Sequence, residues 1–137
     1  MFNEILDVQE VLHTLLYFVV LLGVTIICMF IFEMITPYND REQLLKGNKA
    51  VAIQFFGKII GITLIMKSAI ATNDSLLGAA IWGVIGFVLM LIGYFIFEFL
   101  TPRVRVDKEI ESGNVAVGII AASISLAIAL ITSGAIS

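Results

Sequence analysis

The chain has 137 residues, of which 60% are hydrophobic and 14% charged, and its net charge is −3. Soluble domains run at about 45–50% apolar and about 25% charged, so this composition excludes an ordinary water-soluble domain. A single cysteine, a single histidine and no basic block leave no disulfide framework, no metal-ligand pattern, no cofactor motif and no nucleic-acid footprint.

The first apolar run covers about 11–35. It is long enough to cross a bilayer, which needs roughly 20 mostly apolar residues. Glu4, Asp7 and Glu10 precede it where a cleaved signal peptide would carry basic residues, so a membrane span is expected. Cys28 reads as a small residue inside the span, and His13 and Tyr17 read as interfacial. The run closes on FEMITP. Pro37 cannot continue the helical ladder, so Thr36-Pro37 is expected to stop the helix, with Glu33 about 6 Å inside that end. DREQLLK then reads as a short amphipathic turn or helix, apolar at Leu44 and Leu45. Gly47 suits a left-handed C-terminal position and Asn48 the N-cap of the next helix.

The second run, about 49–71, contains polar residues at depth. Gln54 lies about 9 Å and Lys58 about 15 Å from Asn48 along a helix axis. Gln54, Lys58 and Gly61 share one face, and Gly57 with Gly61 forms a GxxxG. Lys67 sits near the far end and is expected to snorkel. Lys58 is expected to stretch back toward Glu33 with Gln54 between them. The two readings are a register-fixing ion pair and a polar, proton-linked path.

The third run, about 76–100, carries Ala79, Gly83, Gly86, Met90 and Gly93 on one seam, which lets helix backbones approach closely. Trp82 is placed for an interfacial belt; Tyr94 is too deep for one. The run closes on FEFLTP, with Glu98 before Thr101-Pro102. VDKEIES follows, then Gly113 and Asn114. The fourth run, about 115–136, is rich in small residues from Ala116 to Ala129.

These runs form a repeat. A shift of 65 residues superposes Phe30-Ile31-Phe32-Glu33 on Phe95-Ile96-Phe97-Glu98 and Thr36-Pro37 on Thr101-Pro102. One further residue of offset superposes GNKAVAI on GNVAVGI. The expected fold is an all-α integral membrane protein, a single domain of four transmembrane helices arranged as two parallel two-helix repeats, about 11–71 and 76–136. The loops after spans one and three carry Arg41, Lys46, Lys49, Arg103, Arg105 and Lys108, whereas the N-terminal tail, the loop 72–75 and the C-terminal end carry none. That bias places both long loops in the cytoplasm and both termini outside. The repeat also places Ile120 and Ile124 where the first copy has Gln54 and Lys58. Glu98 is therefore expected to lack a cation partner and to favour its neutral form, unless it reaches headgroup water or Arg103.

The paired F-E-x-x-T-P and G-N-x-A-V-x-I motifs resemble the YjfL/YshE-like family of small bacterial multi-pass inner-membrane proteins, built on a domain of unknown function. The resemblance covers about residues 10–136. It implies a bacterial plasma-membrane location and, through association with membrane-remodelling proteins, a part in envelope stress. No catalytic constellation is present, so the expectation is a non-enzymatic scaffold whose loops 38–48 and 103–114 meet a cytoplasmic, membrane-remodelling partner. The alternative is an oligomeric channel or carrier lined by Glu33, Gln54, Lys58 and Glu98. The lipid bilayer is the common partner of both readings, and homo-oligomerisation belongs to the second.

Overall fold

The computed structural model describes residues 5–36, 39–100 and 106–136. Its helices are α1 (Val8–Ile35), α2 (Asp40–Leu45), α3 (Lys49–Thr72), α4 (Leu76–Leu100), α5 (Val106–Glu111) and α6 (Val115–Ala135). α1, α3, α4 and α6 are long and apolar enough to cross a membrane. The protein is an all-α integral membrane protein with four transmembrane helices, and α2 and α5 are short helices at one end of the bundle. Pro37, Thr101 and Pro102, the expected helix stops, lie outside the described residues, as do Arg103 and Arg105.

Local chemistry sets the helix ends. The Asp7 carboxylate accepts from the Gln9 N–H and caps α1. At the other end Thr36 is extended, and its hydroxyl donates to the Phe32 carbonyl at 2.9 Å. The two connections at this end are built alike. Gly47 and Gly113 have φ of 80° and 90°, a left-handed conformation that favours glycine. In the first, the Gly47 and Asn48 N–H groups donate to the Leu44 and Gln43 carbonyls. In the second, the Gly113 and Asn114 N–H groups donate to the Ile110 and Glu109 carbonyls. Asn48 and Asn114 then accept from the Val51 and Val117 N–H groups, capping α3 and α6.

Asn48 has a further task. Its Nδ2 donates to the carbonyls of Ile110 at 3.1 Å and Glu111 at 2.8 Å, so one amide joins the start of α3 to the end of α5. Asn48→Ala should cost about 2 kcal/mol, a cap plus a tie. Asn114→Ala, which removes the cap and a bond to its neighbour Glu109, should cost about 1 kcal/mol. Unfolding of both variants in micelles measures the difference.

The centre of the bundle is the α3–α6 pair. A Cβ on Gly57 would stand 2.8 Å from Ala122 Cα, and one on Gly118 would stand 2.8 Å from the Ala50 carbonyl oxygen. Further along, Ser68 Oγ donates to the Ser133 carbonyl at 2.7 Å. Starts meet starts and ends meet ends, so α3 and α6 run in the same direction. α4 crosses this pair in the opposite sense, with Gly83 against Met66 and Met90 against Gly61. α1 is peripheral: only Leu21, Cys28 and Phe32 are buried along its length. Its outer face, with Phe18, Ile26 and Phe30, is left for lipid. α1 and α3 do touch, but the broadest contact of α3 is with α6.

Candidate functional site

Lys58 is 1% exposed and reaches from the middle of α3 toward the end that carries the loop helices. Its ammonium lies 3.9 Å from Asp40 Oδ2, donates to Thr36 Oγ1 at 3.3 Å and stands 4.5 Å from the centre of the Phe32 ring. An isolated buried ammonium would be very unfavourable; this one has a carboxylate, a hydroxyl and a π-face.

The counter-ion comes from α2. Asn39 caps that helix by accepting from the Glu42 N–H, which makes Asp40 its first residue. Asp40 is 3% exposed, turned inward on the same face as Leu44, one turn on. Burial pushes its carboxyl above the ordinary value of 3.8; Lys58 pulls it back down, and Glu33 pushes it up again. The sign follows from linkage. With a raised folded pKa, Asp40 binds its proton more tightly folded than unfolded. Its contribution is fullest below 3.8 and is lost as pH rises through the folded value. Asp40→Asn should therefore flatten the pH dependence of unfolding in the acid range above 3.8, as read from melts of both proteins across that range.

The expected ion pair of Lys58 with Glu33 is replaced by one with Asp40. α2 brings its first carboxylate within 3.9 Å of the ammonium, closer than Glu33. Glu33 is half-buried and still acts on both charges through space. Gln54 is 1% exposed and lies beside α4, where its Nε2 donates to the Tyr94 hydroxyl at 3.1 Å. The Tyr94 ring meets Phe32 edge-on at 5.3 Å.

Glu98 has polar and charged neighbours. Its carboxyl is within hydrogen-bonding reach of Tyr94 and of Asp107 on α5, and it feels the Lys58 charge. Ile120 is 56% exposed and faces outward. Thr36, Tyr94, Glu98 and Asp107 border a cavity of about 10 Å³, close to the lower limit for one water. Lys58 thus lies in the field of both glutamates as well as of Asp40 and Asp107.

Asp40 and Asp107 escaped the sequence reading because charges in short loops are usually solvated. The available signal was their place on the apolar faces of α2 and α5, beside Leu44 and Ile110. Gly47, Asn48, Gly113 and Asn114 form the connections described above. Among the described residues, no three His, Cys, Asp or Glu side chains are placed to hold a metal ion.

A family model described as Domain of Unknown Function (DUF350) matches residues 5–136. The chain belongs to the DUF350 family. It is similar to the UPF0719 transmembrane protein YshE of Bacillus subtilis (strain 168), 42% identical over 128 residues that cover 93% of this chain and 96% of that protein. The UPF0719 inner membrane protein YjfL of Escherichia coli (strain K12) is 27% identical over 111 residues, 81% of this chain and 83% of the relative. A UPF0719 transmembrane protein of Mycolicibacterium paratuberculosis is 27% identical over 134 residues, 90% and 86% of the two chains. No solved structure matches. The names of these DUF350 relatives state a membrane location, in agreement with the four long apolar helices.

Proposed function

We propose that this protein is a non-enzymatic membrane scaffold, built from two parallel two-span units, that presents α2 and α5 side by side to a cytoplasmic partner. The observation that carries this reading is the Lys58–Asp40 contact, in which a cation buried in the bundle clamps the first residue of a loop helix. The charge within the membrane positions the loop surface. The asymmetry of basic residues supports cytoplasmic loops and external termini. The family resemblance suggests a membrane-remodelling protein of the envelope-stress response as the partner.

The test is photo-crosslinking from Leu45 and Lys108 in intact membranes, run beside ion-flux assays in proteoliposomes. Capture of the same cytoplasmic protein from both positions, lost in Lys58→Ala, with no flux, is the expected result. Externally added thiol reagent should label Asn73→Cys and spare Asn39→Cys; the opposite pattern would reverse the orientation.

A second reading has one observation behind it. Gln54 Oε1 and Ser125 Oγ are buried and have no hydrogen-bond partner among the described residues, as polar atoms along a path would be. An oligomeric carrier would use Glu33, Gln54, Lys58 and Glu98. Ion-specific flux abolished by Lys58→Ala and Glu33→Gln, without loop-dependent capture, would establish the carrier and overturn the scaffold.

A further inference from the structure

Two open grooves flank Glu33 where α1 leaves the bundle. One, of about 380 Å³, is walled by Leu44, Leu45 and Phe55, and the other, of about 400 Å³, by Phe30, Met34 and Asn39. Glu33 and Arg41 line both grooves. Among the described residues the ion pairs are Lys46–Glu42 and Lys58–Asp40, so neither Glu33 nor Arg41 is neutralised by the other. Asp40 also borders the first groove, but its carboxylate is engaged by Lys58. Glu33 lies two residues before the end of α1, about 3 Å along the axis, which sets both grooves at headgroup depth.

A half-buried carboxylate at that depth calls for a cation with hydrogen-bond donors. The exposed Arg41 guanidinium calls for an anion, and its fork of N–H groups matches a phosphate. Beside them Phe30, one turn deeper than Glu33, and Met34, 66% and 75% exposed, give an apolar surface suited to acyl chains. We propose that Glu33 and Arg41 form a headgroup site for a phospholipid bearing both a phosphate and a primary ammonium, that is, phosphatidylethanolamine. The ammonium donates to Glu33, and the phosphate accepts from Arg41. Phosphatidylglycerol satisfies Arg41 alone. The trimethylammonium of phosphatidylcholine has no N–H to give Glu33. This site is independent of the scaffold reading and stands or falls without it.

The experiment is native mass spectrometry of the full chain released from micelles holding equal amounts of phosphatidylethanolamine, phosphatidylglycerol and phosphatidylcholine. Phosphatidylethanolamine should be retained about tenfold over phosphatidylcholine, as one charge-assisted hydrogen bond provides. Glu33→Gln should remove that preference and leave phosphatidylglycerol binding unchanged; Arg41→Gln should weaken both lipids. Equal retention of phosphatidylethanolamine and phosphatidylcholine by the wild-type chain would overturn the proposal without recourse to any variant. So would a preference that survives Glu33→Gln, or retention of phosphatidylglycerol above phosphatidylethanolamine by the wild-type chain.

Discussion

Lys58→Ala should lower the stability of the bundle by about 3–5 kcal/mol, because it leaves the Asp40 carboxylate buried without its counter-charge. The more telling variant is the double substitution Lys58→Ile with Asp40→Val. The second half of the chain has Ile124 and Val106 at the positions 66 residues further on, and Val106, like Asp40, is the buried first residue of its loop helix. Val106 packs with Ala50, Val51, Ile110 and Ala121, so the first position of one loop helix is apolar where that of the other is charged. Exchanging a buried ion pair for well-packed apolar groups is often neutral. The double variant should unfold near the wild-type midpoint, while each single variant falls well below it. Reversible unfolding in mixed micelles, followed by Trp82 fluorescence, measures all four corners of the cycle. Additive losses in the double variant would show that Lys58 and Asp40 do not act as a pair.

Gly57→Leu should separate the central helices. The atoms that a new Cβ would meet are Ala122 Cα, Cβ and carbonyl oxygen, at 2.8, 2.8 and 3.0 Å. Backbone cannot retreat as a side chain can, so Gly57→Ala alone should cost about 1–3 kcal/mol and leucine more. Gly118→Val meets the same obstacle at Ala50. Gly83→Ala should be milder, because its nearest neighbour is the Met66 sulfur at 2.7 Å, on a flexible side chain. Gly23 has nothing within 4 Å of an added Cβ, and alanine there should be neutral or stabilising by up to about 1 kcal/mol. Cross-linking between Ser68→Cys and Ser133→Cys reads the α3–α6 contact directly. Its yield should collapse in Gly57→Leu and persist in Gly23→Ala.

Helix positions were legible because membrane length and apolarity constrain them strongly. The expected spans end at 35 and run over 76–100, where α1 ends and α4 lies. Amphipathic DREQLLK and VDKEIES supply α2 and α5. Neighbour relations were much less legible. Small residues spaced three and four apart announce a close approach but not its partner, so Gly57 gave no hint that it meets Ala122. The polar cluster was half legible. Depth along one helix puts Gln54 and Lys58 well along their span, and both side chains are buried, but it says nothing of the return of the chain, through α2, beneath them. That return is what makes Asp40 the counter-ion of Lys58 and gives Glu98 Asp107 for company.

The same-direction contact of α3 with α6 also sets a schedule. Ser68 finds its partner Ser133 65 residues later in the chain. At about 5–20 residues per second, the ribosome needs roughly 3–13 s to supply it. During that interval α3 has emerged with the Gly57 and Gly61 face open and Lys58 already inserted. Asp40, made before α3 as Glu33 also is, is available to Lys58 from the outset. The ion pair that holds α2 in the finished protein can therefore also shield a buried charge while the newborn half waits for the rest of its core.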